Sequence, residues 1–237
     1  MDYRPALGLS NKRKLPVWKI HDWTFALWDI LNLQRVRHRF EELRLQKTDD
    51  GHYVVTMYGF PMKLQRYYAV AVVNEMAYFE EDYCSVIDLR GKTVLDVGCG
   101  NGETALVFLQ HGARKVIGID SDRDSCKFAR YNRDNLSLNM EIINEPFALE
   151  HLDIPHDLIK MDIEGGEALL MNYRGDLGPI VLEAHGEALR QKLSRRFHLK
   201  TVRYPHPDTW ILASGLIAAN KKPIPQTLRN TAYEIPI

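Results

Sequence analysis

A doubly wound, mostly parallel α/β sheet is what this sequence predicts, and three observations predict it. Short apolar runs rich in Val, Ile and Leu recur along the chain, as parallel strands buried on both faces require. From residue 94 onward amphipathic stretches alternate with them, the pattern of successive strand–helix units. The first of these strands runs into a glycine-rich turn and then a helix, in the stretch VLDVGCGNGET, residues 94–104.

The 237 residues fit one α/β domain with an N-terminal extension. The expected division is a helical extension over 1–50, the main α/β domain over 51–220, and a tail over 221–237. Acidic and basic residues number 31 each, so no global charge draws the chain to nucleic acid or an anionic membrane. Cys84, Cys99 and Cys126 are too few and too scattered for a disulfide framework or a zinc site, and a reducing cytoplasm is expected. The N-terminus lacks a signal pattern, and no apolar run approaches the ~20 residues of a membrane helix.

Taken in order, residues 1–15 read as an arm carrying Lys12, Arg13 and Lys14. From Val17 to about Gln46, apolar residues at Ala26, Ile30, Leu33, Val36, Phe40 and Leu43 recur at helical steps. Trp18, Trp23, Phe25 and Trp28 crowd the first half of that segment. They either pack on the main domain or line a lid over an acceptor pocket. Thr48 to Gly51 signals a turn, and His52 to Leu64 predicts a hairpin with Gly59 and Pro61 at its bend. Tyr67 to Phe79 returns to helical spacing. Val94 to Val97 and Lys115 to Asp120 predict strands flanking a helix opened by Glu103. Ser121 and Asp122 can cap a helix running to about Asn135. Strands are predicted at Met140 to Ile143, Asp157 to Met161 and Ile180 to Glu183. A helix carrying Leu169 and Leu170 precedes the break at Gly178-Pro179. Glu187 to Phe197 predicts a helix. Leu199 to Tyr204 and Thr209 to Ala218 predict the last strands, with Pro205 to Trp210 as their turn, and the tail from Lys221 follows.

Ligands of such sheets bind beyond the carboxyl ends of the strands, at the switch in strand order. Asp96, Asp120, Glu145, Asp162 and Glu183 all fall at such ends, and five acids on one edge are costly to keep for structure alone. The turn spacing is G-x-G-x-G rather than the G-x-G-x-x-G of dinucleotide binders. Asp96 precedes it by two residues and would repel a pyrophosphate, but it suits a cationic ligand. Asp120 is placed to accept from two ribose hydroxyls. This pairing resembles the S-adenosylmethionine site of class I methyltransferases; a turn that binds NAD, or nothing, is the competing reading.

A second motif, IKMDIEGGE over residues 159–167, clusters Lys160, Asp162, Glu164 and Glu167 around a strand end. With NLSLN at 135–139 and VLEAH at 181–185, the chain from Asn74 to Ala219 resembles the FkbM family of S-adenosylmethionine-dependent methyltransferases. That resemblance implies a class I, Rossmann-like fold with a seven-stranded sheet and methyl transfer to hydroxyl oxygens of sugars or other small molecules. It implies that Asp96, Gly98 and Gly100 hold the methionine end of the cofactor, within the turn Cys99-Gly100-Asn101-Gly102. Asp120, followed by Ser121, would bind ribose, and Asn144 or Glu145 would lie near adenine. Asp162, Glu164 and His185 would face the acceptor, with Lys160 beside them.

His185 is a candidate base because an ordinary histidine titrates near neutrality; it could instead only cap a turn. Asp162 could be the base or could orient the hydroxyl. Asp162, Glu183 and His185 could hold a divalent metal, though spacing alone assigns none. The absence of an N-P-P-Y-like sequence after the fourth strand counts against transfer to exocyclic amines. The expected partner is a small-molecule acceptor, with no membrane. RNA is the alternative, since residues 10–47 hold nine Lys/Arg against four Asp/Glu. A non-catalytic S-adenosylmethionine-binding protein is a further alternative.

Overall fold

The structure is a computed structural model that describes residues 45–65, 68, 69, 72, 82–206 and 209–214. The helices and aromatic lid expected within residues 17–44, most of the helix expected from Tyr67 to Phe79, and the tail from Lys221 lie outside the described residues.

Three antiparallel strands form a small sheet: β1 (Leu45–Lys47), β2 (Tyr53–Met57) and β3 (Phe60–Leu64). Gln46, expected at the end of a helix, is instead paired with Val54 of β2. The hairpin turns on Tyr58 and Gly59, at φ 50° and 81°, the left-handed pair that matches strand twist. Pro61 is not in the bend. It lies inside β3 opposite Thr56, on the sheet edge, where the ladder does not need its missing N–H.

The main sheet has seven strands: β4 (Thr93–Val97), β5 (Lys115–Ile119), β6 (Met140–Ile143), β7 (Leu158–Met161), β8 (Ile180–His185), β9 (Lys200–His206) and β10 (Thr209–Ala213). Their order is β6-β5-β4-β7-β8-β10-β9, parallel except that β10 runs against both its neighbours. The chain leaves β4 toward β5 and β6, then returns to β7 on the other side. The switch in strand order therefore falls at the carboxyl end of β4, where the glycine turn begins.

Three helices connect the described strands: α1 (Glu103–Gln110), α2 (Arg123–Leu136) and α3 (Glu187–Phe197). Asp122 caps α2, accepting from Asp124 N and Ser125 N, while Ser121 stays exposed. The segment Gly166–Asn172, expected as a helix, winds as a 3-10 turn. Its two buried residues, Glu167 and Leu170, are three apart, and the tighter repeat keeps both on one face.

Alternation along β4 sends Val94 to one face of the sheet and Leu95 and Val97 to the other. The first face packs α1 residues Leu106 and Phe108 with Met57 and Met62 of the hairpin. The second packs Ile159, Met161 and Leu182 with Leu193 of α3. Asn132 of α2, wholly buried, ties the small sheet to the glycine turn. Its Oδ1 accepts from Lys63 N at 2.9 Å, and its Nδ2 donates to Lys63 O at 2.8 Å and Asn101 O at 2.9 Å.

Candidate active site

The turn after β4 is built on Gly98, Gly100 and Gly102, all left-handed at φ 81°, 53° and 87°. A side chain at Gly98 has no room, because its Cβ would lie 1.8 Å from the Asp162 carbonyl oxygen at the end of β7. The two strand ends thus meet backbone to backbone, which Asp162 N donating to Val97 O at 2.9 Å also holds. Asp120, just past β5, pins the turn from the side. Its Oδ2 accepts from Gly100 N at 3.0 Å and its Oδ1 from Asp122 N at 2.8 Å. Burial raises its pKa, and those two N–H donors oppose the rise. Each carboxylate oxygen keeps a further lone pair. Asn144 Nδ2 donates to Asp120 O at 3.0 Å, and Glu145, exposed, stands 3.7 Å from His151 Nε2.

Beneath the turn, several expected ligand residues have turned inward. Asp96 is fully buried, accepts from the Thr104 hydroxyl, and stands 3.3 Å from Lys160 Nζ. Lys160, its neighbour in register across β4 and β7, also donates to Gly98 O at 2.8 Å. Burial opposes the lysine charge, but Asp96, Asp162, Glu103 and Glu183 outweigh it and raise its pKa. Lys160 therefore braces the turn as a fixed cation and does not face an acceptor. The side chains of Cys99 and Asn101 are also buried, and Asn101 Oδ1 accepts from Gln65 N at 3.0 Å. Only the backbone of these two residues belongs to the turn.

At the ends of β7 and β8 the structure brings Asp162, Glu164 and His185 together. His185 Nε2 stands 3.5 Å from Glu164 Oε2 and 3.9 Å from Asp162 Oδ1. Its Nδ1 stands 3.4 Å from Glu167 Oε1, an ionic contact without hydrogen-bond alignment. Burial would lower the His185 pKa, but Glu167, Asp162 and Glu164 together push it up to about 9. The expectation of a histidine poised near neutrality does not hold, because four carboxylates crowd the ring. The fourth, Glu183, accepts from the Tyr83 hydroxyl at 2.9 Å. Burial, with Asp162 adding, pushes its pKa up to about 8. Burial likewise raises Glu164.

Sequence reading passed over four residues that shape this region. Glu103 is buried under the turn and accepts from Asn101 N at 2.8 Å; burial pushes its pKa up to about 7. Tyr68 is half-buried, and its phenol pKa rises through burial and through Glu103, Asp120 and Asp162 nearby. Asn132 and Tyr83 act through the contacts given above. An acid directly after Gly102, the last glycine of the turn, was the one legible signal among them.

The arrangement fits a cationic, ribose-bearing ligand. The turn offers backbone free of side chains, Asp120 offers acceptor lone pairs, and Asp162 Oδ1 is buried with no hydrogen-bond partner. Among the described residues no helix is long and apolar enough to cross a membrane.

Residues 94–162 match the family model described as a methyltransferase domain. Over 114 residues the chain is 32% identical to ribosomal protein L11 methyltransferase of Colwellia psychrerythraea, a stretch covering 45% of this chain and 38% of that protein. Over 58 residues it is 45% identical to the protein of the same name from Klebsiella pneumoniae, covering 24% of this chain and 20% of that one. The chain thus spans well under half the length of these relatives. A solved Pyrococcus horikoshii structure described as a transferase shares the fold at a TM-score of 0.50 and 20% identity, over 70% of this chain and 71% of that one. Glycine turn, strand order and family match agree: the chain has the Rossmann-like α/β fold of class I methyltransferases, and residues 94–162 of its seven-stranded sheet match a methyltransferase domain.

Proposed function

We propose that this chain is an S-adenosylmethionine-dependent methyltransferase acting on a hydroxyl oxygen of a sugar or other small molecule, in keeping with its resemblance to the FkbM family. The observation that carries the reading is the convergence of Asp162, Glu164 and His185 beside the glycine turn. Gly98, Gly100 and Gly102, with the backbone of Cys99 and Asn101, hold the methionine end, and Asp120 holds ribose. Ser121, Asn144 and Glu145 border the adenine side. Asp96 and Lys160 support the turn from below.

When bound, S-adenosylmethionine supplies an electrophilic methyl group carried on a sulfonium. The protein aligns the acceptor and takes its proton. Asp162 and Glu164 do so here, because both nitrogens of His185 already face carboxylates and the ring is left to orient them. Alignment at the fused ends of β4 and β7 carries much of the acceleration, and proton transfer adds typically ~10²–10⁴-fold.

A methyl-release screen over sugars, phenols, RNA and ribosomal protein L11 tests the reading. Turnover is expected with a hydroxyl compound. Asp162→Asn and His185→Ala should each lower kcat by at least ~10²-fold with little change in cofactor affinity. Near-normal turnover in both variants refutes the assignment. The 32% identity to ribosomal protein L11 methyltransferase favours a second reading, a protein acceptor. Methylation of L11, with none of the small acceptors used, would decide for it.

A further inference from the structure

We propose a divalent-cation site on Asp162, Glu164 and His185, which takes ions of the manganese class through two carboxylates and one imidazole. One donor atom from each residue lies within 4.8 Å of the others, with His185 Nε2 at 3.5 Å and 3.9 Å from the two carboxylates. Metal–ligand bonds of about 2.1 Å separate neighbouring donors by about 3.0–3.4 Å and opposite donors by about 4.2 Å. The two spacings from His185, 3.5 Å and 3.9 Å, fall inside that range, and small side-chain rotations bring the two carboxylates within it as well.

Two further observations point to an ion rather than to a bare acidic edge. The Asp162 Oδ1 atom is buried and has no hydrogen-bond partner. Behind the imidazole lies Glu167, with no side-chain exposure at all. Its Oε1 takes Ile163 N at 2.8 Å and faces His185 Nδ1, while its Oε2 has no hydrogen-bond partner. A buried carboxylate 3.4 Å behind Nδ1, with Nε2 forward, stands where the carboxylate supports of metal-bound histidines stand. Charge argues the same way. Asp162, Glu164, Glu167 and Glu183 surround one imidazole, and the nearby Lys160 is engaged by Asp96 and Gly98 O.

Glu183, a candidate ligand by sequence, takes the Tyr83 hydroxyl instead, and Glu164 fills its place. Oxygen and imidazole donors without thiolate suit Mn²⁺, Mg²⁺ or Zn²⁺, and three protein ligands leave positions open for oxygens of a bound molecule. That an acceptor oxygen fills one of them rests on the methyltransferase reading; binding of the ion does not.

The test titrates Mn²⁺ alone into the full chain, without cofactor or acceptor, and reads free Mn²⁺ by electron paramagnetic resonance. One ion per chain is expected, with Kd below about 100 μM. His185→Ala and Glu164→Gln should each weaken binding at least ~10-fold, and Glu167→Gln about 10-fold or more through ring orientation alone. Should a variant fail to fold, Mn²⁺ must still broaden the imidazole resonances of His185 in the wild-type spectrum. Binding weaker than about 1 mM, binding indifferent to all three variants, or a sharp His185 signal overturns the site. Failure to bind Mn²⁺ in a chain that still transfers methyl groups would overturn the site and keep the activity. A bound ion with no transfer to any acceptor would do the reverse.

Discussion

Replacing Gly98 by alanine tests whether the ends of β4 and β7 are fused as described. The new Cβ would lie 1.8 Å from Asp162 O, 2.9 Å from Asp162 C and 3.1 Å from Ile163 Cγ2. Relief to ordinary contact needs a separation of well over 1 Å between two backbones, and neither is a flexible side chain. Opening that far strains or breaks the Asp162 N to Val97 O bond, now 2.9 Å, worth about 1 kcal/mol. The left-handed backbone at φ 81° adds about 1–2 kcal/mol for any residue with a Cβ. Overpacking adds about 1–3 kcal/mol. The variant should therefore lose about 3–6 kcal/mol in urea unfolding followed by circular dichroism, a large share of a typical domain's stability. Gly165→Ala is the control, since Gly165 has φ 96° and nothing within 4 Å of its Cβ position. It should show the backbone strain alone, about 1–2 kcal/mol. Equal losses in the two variants, or a loss under 1 kcal/mol at Gly98, would refute the contact between strand ends.

Three other outcomes follow from the site. Glu103 has a folded pKa of about 7 against an ordinary 4.5, so the folded state binds the extra proton; stability is full below about 4.5 and falls by about 3 kcal/mol as pH rises through 7. Glu103→Gln should flatten that fall in urea melts run from pH 4.5 to 8, and parallel curves would show that Glu103 is not the titrating group. Lys160→Met strands a fully buried Asp96 and should cost about 3–5 kcal/mol, with part regained when Asp96→Asn is added; a loss under 1 kcal/mol would mean that the pair is not coupled. Asp120→Ala should weaken S-adenosylhomocysteine binding by about 1.5–3 kcal/mol in calorimetry, and an unchanged affinity would remove Asp120 from the ribose site.

The strand–turn–helix core was legible because its signals are local. Apolar runs, a glycine turn and an aspartate cap fix β4 to β6 and α2 within a few residues of chain, and α3 matches its prediction from Glu187 to Phe197. Where partners decide, the sequence was silent. β8 extends past Glu183 to His185 because Ala184 and His185 pair with Trp210 and Thr209. Leu45 to Lys47 form a strand only because β2 lies beside them. The same holds in the site. Asp162, Glu164 and His185 were visible as acids and a histidine at strand ends, which topology alone gathers. The inward turn of Asp96 and Lys160 needed the register of β4 against β7, and the role of Asn132 needed contacts 69 and 31 residues away.

The reversed strand β10 gives the carboxyl edge of the sheet an unusual composition. Its first residue, Thr209, pairs with His185, the last residue of β8. An edge of parallel strands presents only endings, each leading into a helix that the core holds in place. Here a beginning stands among the endings, fed by a hairpin from β9, and no described contact of that hairpin reaches the glycine turn. Insertions or exchanges in that hairpin can reshape the rim beside His185 while leaving the glycine turn as it is. The hairpin side of this edge and its glycine-turn side are in this sense free to vary separately, because few contacts tie one to the other.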